Sequence, residues 1–157
     1  MRCIATLVAL WTIACGPSVS EDSPEQHDMN VVLLVPQESG TTASLRGLSV
    51  VSDSTAWASG ANGTYVRTTN GGESWESGTV PGAEDLDFRD VEAMDAETAY
   101  LLSAGEPAKL FETTDGGAHW RQIYGNDTPG IFFDSMAFWD SNSGIAFSDP
   151  VEGHFVI

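Results

Sequence analysis

The sequence predicts an all-β fold, a β-propeller of four-stranded blades, on three observations. An eight-residue phrase, TTNGGESW at 68–75, returns as TTDGGAHW at 113–120, 45 residues later. The stretches LRGLSVVSDSTAWASG from 45, FRDVEAMDAETAYLLS from 88 and FDSMAFWDSNSGIAFS from 133 align without gaps, at offsets of 43 and 45 residues. Within them Leu48, Val91 and Met136 coincide, as do Val50, Ala93 and Phe138, so apolar residues recur at period two on one face of the same strand. A fixed period of about 20 to 50 residues marks a repeat architecture, and four short strands in about 45 residues are the content of a propeller blade. A solenoid or sandwich would carry a shorter or less regular repeat.

Each repeat supplies its strands in the same order. The first strand carries the period-two residues, and the second follows in TAWAS, TAYLL and SGIAF. The third precedes each turn phrase, in TYVRT and KLFET, and the fourth leaves it, in SWESG and HWRQIY. Blades therefore fall near 45–86, 88–130 and 132–157, and residues 31–157 read as the N-terminal part of the propeller. The third repeat reaches GHFVI inside its expected third strand. A ring of six to eight blades would need roughly 270 to 360 residues, so about the first three blades are expected here. VVLLVPQESG, 31–40, is a candidate latching strand for the last blade, with Pro36 suited to an edge.

The turn phrases have a chemistry of their own. Asn70-Gly71 and Asp115-Gly116 are dipeptides that accept positive φ at both central positions of a type I′ turn, so each phrase reads as a hairpin. Thr68 and Thr113 can offer hydroxyls, and Asn70 and Asp115 oxygens, to N–H groups the turn leaves unpaired. Trp75 and Trp120 are expected to lay their rings over the turns.

The N-terminus reads as an export signal. Arg2 and an apolar run from Cys3 to Ala14 form a signal-peptide pattern too short to span a bilayer, which takes about 20 apolar residues. The run ends at TIAC-G, which resembles a bacterial lipobox. That resemblance implies a signal peptide over 1–14, lipid attachment at Cys15 and, from Gly16, retention at the outer membrane; the alternative is a secreted chain. Residues 15–30, polar and acidic with prolines, read as a flexible linker. Only Cys3 and Cys15 are present, so the mature domain has no pair of thiols for a disulfide and depends on its core.

Six basic against 23 acidic residues give a formal charge of −17, which disfavours nucleic acid and anionic membrane surfaces as partners. Glu84, Asp85, Asp87 and Asp90 crowd one loop, read as a charged inter-blade connection in preference to a Ca²⁺ site because no EF-hand spacing is present. DSNSG at 140–144 opens like an EF-hand loop but has Val151 where the bidentate Glu belongs. His27, His119 and His154 stand too far apart in sequence to suggest a metal site, and there is no dinucleotide fingerprint.

The phrases resemble the Asp-box, or bacterial neuraminidase repeat, of pattern Ser/Thr-x-Asp-x-Gly-x-x-Trp: Thr113, Asp115, Gly117 and Trp120 match, as do Thr68, Gly72 and Trp75 with Asn70 for Asp. Residues 31–157 further resemble the bacterial relatives of the photosystem II stability/assembly factor, a seven-bladed propeller family. The resemblance implies a scaffold that binds a protein partner at the cell envelope and needs no cofactor. It also points to Arg46 and Arg89 at the starts of the axis-nearest strands as binding residues, with Asp134 at the same place in the third repeat. Either arginine would equally serve as a salt bridge to a neighbouring blade's carboxylate. Sialidases and xyloglucanases also carry Asp-boxes, so a glycoside hydrolase is the alternative, with Asp134 and Asp149 as its carboxylates. The arginine triad and Phe-Arg-Ile-Pro segment of sialidases are absent from this stretch.

Overall fold

The computed structural model describes residues 33–155. The signal peptide, Cys15, the 15–30 linker and the first two residues of the candidate latch lie outside the described residues. The ten strands of the described residues fall in one compact unit that begins at Val35.

The first blade is an antiparallel meander of β1 (Leu45–Val50), β2 (Ala56–Gly60), β3 (Thr64–Thr68) and β4 (Glu76–Thr79). The second repeats it with β5 (Phe88–Ala93), β6 (Ala99–Ser103), β7 (Ala108–Thr113) and β8 (Arg121–Asn126). The third contributes β9 (Phe133–Asp140) and β10 (Ser143–Ser148), followed by a single bridge between Val151 and His154. The antiparallel four-stranded sheets are propeller blades.

Alternation along the second strands explains how one sheet serves two cores. All five residues of β6 are buried. Successive side chains point to opposite faces, so Ala99 and Leu101 join a core with Trp57, Val80, Ala83, Phe88, Val91 and Phe111 of the first and second blades. Tyr100 and Leu102 join the core with Phe133 and Met136 of the third. The first strands β1, β5 and β9 run beside one another, close enough at Gly47 that an added Cβ would lie 2.8 Å from the Val91 nitrogen.

The turn phrases do connect antiparallel strands, since Thr64–Arg67 pair with Glu76–Thr79. Their dihedrals differ from expectation. Neither Asn70 nor Asp115 takes positive φ; the paired glycines Gly71 and Gly72 (φ 70° and 85°) and Gly116 and Gly117 (71° and 92°) do. The connection is a seven-residue loop held by side chains, not a two-residue type I′ turn. The Asn-Gly pair with both φ values positive is Asn62-Gly63 (59° and 64°), between β2 and β3, where Thr64 N–H bonds the Ala61 carbonyl.

Of the candidate latch, the structure describes residues 33–40 without the last blade that it was expected to join. Residues 33–39 form no strand. Pro36 lacks a ladder donor, and the chain is engaged through other groups: Gln37 Oε1 accepts the Trp75 indole N–H at 2.8 Å, and the Gly40 carbonyl accepts the Ser77 hydroxyl at 3.1 Å.

Candidate functional site

Two sets of residues stand out, the loops that join blades and the charged row along the first strands.

In the loop of the second blade, Thr113 is buried and its hydroxyl oxygen accepts the Gly117 N–H at 3.0 Å while donating to Asp115 Oδ1 at 3.0 Å. Asp115 Oδ1 also accepts the His119 N–H at 2.8 Å, and Oδ2 meets His119 Nδ1 at 2.7 Å. The His119 backbone N–H and then its ring hold the Asp115 carboxyl below its ordinary pKa. The first blade repeats this with neutral groups: Thr68 accepts the Gly72 N–H at 2.9 Å and Asn70 the Ser74 N–H at 3.0 Å. One hydroxyl and one short polar side chain thus each accept a loop N–H, that of the second glycine and that of the residue two positions further on.

Trp120 reaches beyond its own turn. Its ring sits against the preceding blade, 5.1 Å from Tyr65 and 6.3 Å edge-on from Trp57, centroid to centroid. Trp75 turns to Gln37 instead. The loop is therefore a fastener between blades, and Arg67 adds to it by donating to the Ala96 carbonyl at 2.9 Å while lying over Trp57.

The charged row lies at the starts of the first strands. Arg46 Nη2 is 3.4 Å from Asp87 Oδ2, with side chains 43% and 45% exposed. Arg89 Nη2 is 3.5 Å from Asp134 Oδ1 and its guanidinium lies 5.5 Å from the Phe132 ring centre. Each pair bridges one blade to the next, and each stays open to solvent. Alternation of arginine and carboxylate along three blades makes a rim able to offer hydrogen bonds of both senses to a polar segment. Below it, Asp90 Oδ2 accepts the Met136 N–H at 2.7 Å and Oδ1 its neighbour Val91 N–H. Burial, then the Asp90 charge, pushes the Glu92 carboxyl up.

Asp149 stands apart from that row in its bonding: its N–H donates to the Phe132 carbonyl at 2.8 Å and its carbonyl accepts the Ser148 hydroxyl at 2.7 Å. The crowded carboxylates of 84–90 have separate engagements, with Glu84 accepting the Gly82 N–H, Asp87 on Arg46 and Asp90 on backbone. Among the described residues no group of three or more His, Cys, Asp or Glu is arranged to hold a metal. Asp87, Phe132 and Gln37 were not visible as site residues in the sequence. Asp87 had a signal, since it sits two residues before an arginine that repeats Arg46.

The family model for photosynthesis system II assembly factor YCF48 matches residues 11–141. The chain is 30% identical over 107 residues to the photosystem II assembly lipoprotein Ycf48 of Synechococcus sp. (strain CC9605), covering 68% of this chain and 31% of that protein. It is 37% identical over 68 residues to the chloroplastic photosystem II stability/assembly factor HCF136 of Oryza sativa subsp. japonica, covering 41% and 16%. Among solved structures it is similar to a YCF48 bound to D1 peptide, at 27% identity and a TM-score of 0.56 over 69% of this chain and 34% of that one. The YCF48 from Cyanidioschyzon merolae shares the fold, at 17% identity and a TM-score of 0.52 over 73% and 37%. The chain spans between 16% and 37% of the length of these proteins. Repeated blades, the Asp-box fasteners and a family match over residues 11–141 agree: the chain belongs to the photosynthesis system II assembly factor YCF48 family.

Proposed function

We propose that this chain is part of a non-catalytic scaffold that binds a protein partner, exported and anchored at the cell envelope through lipid on Cys15. The observation that carries the reading is the likeness to a YCF48 solved with a D1 peptide. The rim of half-exposed Arg46, Arg89 and Asp134 supports it, because its charges are held in place by inter-blade pairs yet open to solvent. Anchoring is supported by the lipobox-like TIACG and by a relative named as a lipoprotein. The bound segment would lie across the first strands, its carboxylates or carbonyls toward the arginines and its donors toward Asp87 and Asp134.

Crosslinking in native membranes tests this. The wild-type chain should recover one defined envelope protein, and Arg46→Ala with Arg89→Ala should reduce recovery about tenfold. Equal recovery by wild type and double variant would contradict the rim. Hydrolysis of a glycan panel, lost with Asp134→Asn or Asp149→Asn, would contradict the non-catalytic reading. Cys15→Ser should move the chain from the membrane to the soluble fraction.

A further inference from the structure

The arginines of the described residues are held in two different ways. Arg67 and Arg121 are engaged by direct hydrogen bonds, Arg67 with the Ala96 carbonyl and Glu76, Arg121 with Glu112. Arg46 and Arg89 meet their carboxylates at 3.4 and 3.5 Å, through one nitrogen each. A guanidinium carries five N–H donors in a planar fork, so one long contact leaves most of them free. Among the described residues the Arg89 guanidinium has no polar partner other than Asp134.

Arg46 and Arg89 differ in what the next blade sets against them. Phe133 aligns with Phe88, so Phe132 stands where Asp87 stands one blade earlier. At the first junction that position gives Arg46 a carboxylate; at the second it gives Arg89 a ring, with Cζ 5.5 Å from the ring centre. A carboxylate takes donors and offsets charge, whereas a ring occupies the face of a guanidinium and leaves its in-plane donors alone. Phe132 is itself fixed by its surroundings. Ile131 and Phe133 on either side are buried in the core that the second and third blades share, and the Phe132 carbonyl accepts the Asp149 N–H at 2.8 Å. The Phe132 ring is left half-buried, against Arg89.

We propose that Phe132 is a positioning residue for Arg89, holding the guanidinium by its face so that the in-plane fork stays open to a carboxylate of the partner. This rests on the rim being the partner surface and gives the partner segment a chemistry, an acidic side chain docked at Arg89. An arginine already steadied by stacking loses less side-chain freedom on binding than one that swings in water.

NMR of the full chain, read at the side-chain Nε–H signals of Arg46 and Arg89, tests it. The probe is acetyl-Gly-Glu-Gly-amide, and the same peptide with Gln for Glu is the uncharged control. In the wild type the Arg89 signal should shift on titration with the Glu peptide and stay in place with the Gln peptide. Phe132→Leu and Phe132→Met, which keep bulk without a ring, should weaken that affinity about twofold to fivefold. Phe132→Tyr, which keeps a ring, should retain it. The Arg46 signal should answer alike in the wild type and all variants, which separates a local effect at Arg89 from a loss of fold. An Arg89 response that is the same with and without the ring overturns the proposal and leaves the rim standing. Weakening at both arginines together, or in Phe132→Tyr as well, makes Phe132 a structural residue only and also overturns it. No response at Arg89 in the wild type overturns it too, and silence at both arginines removes the carboxylate-binding rim along with it.

Discussion

The Tyr65 ring of the first blade lies 5.1 Å from the Trp120 ring of the second, and its hydroxyl donates a 2.8 Å hydrogen bond to the Gly117 carbonyl. One residue therefore reads both the aromatic and the backbone of its neighbour's Asp-box. Removing only the hydroxyl, in Tyr65→Phe, should keep the ring contact and cost about 1 kcal/mol. Tyr65→Ala loses the aromatic packing too and should cost about 3 to 5 kcal/mol. Urea unfolding midpoints check both.

Gly117 is the other side of that contact. A Cβ there would meet the Tyr65 ring at 2.7 Å, and the backbone sits at φ 92°. Gly117→Ala combines strain with displacement of Tyr65 and should destabilise by about 2 kcal/mol or more. Gly82, at φ 77° with nothing within 4 Å of an added Cβ, is the control that isolates the backbone part. Gly82→Ala should cost about 1 kcal/mol.

The Thr113 hydroxyl satisfies a buried N–H. Thr113→Val keeps shape but leaves the Gly117 N–H unpaired, so a loss of about 1 to 3 kcal/mol is expected, and Thr113→Ser should recover most of it. Thr68→Val should behave alike in the first blade through Gly72. Thermal unfolding of the three variants decides whether the hydroxyl or the methyl group matters.

Asp115 and Asn70 occupy the same place with different charge. The folded-state pKa of Asp115 is lowered, first by the His119 N–H. Its contribution is therefore present above the unfolded-state pKa and lost as pH falls through the folded value. Asp115→Asn, which copies the first blade, should flatten the acid limb of stability below about pH 5 and leave neutral-pH stability little changed. A pH series of unfolding midpoints for both proteins checks the slope; an unchanged acid limb would contradict this role for the carboxylate.

Much of the fold was legible because period-two alternation and a gapless repeat constrain strands locally. The strands around TYVRT and KLFET fall where the text places them. What was not legible depends on the neighbouring blade. The contact of Trp120 with Tyr65, 55 residues earlier, was not readable from the sequence, which shows only the turn beside it. Residue types identified the loops, but adjacent glycines let positive φ move one position from the Asn and Asp expected to take it. The arginines were visible as a repeating pair, whereas the choice of Asp87 for one and Asp134 for the other follows from how blades stagger. Asp90 seemed one more surface carboxylate and instead fixes the Met136 backbone.

Hydrogen–deuterium exchange on the crosslinked complex would locate the partner on this chain. Protection centred on the starts of β1 and β5, at Arg46 and Arg89 and extending to Asp134, is the predicted result. Protection confined to the outer strands β4 and β8, with the rim exchanging as in the free chain, would contradict the scaffold surface assigned here.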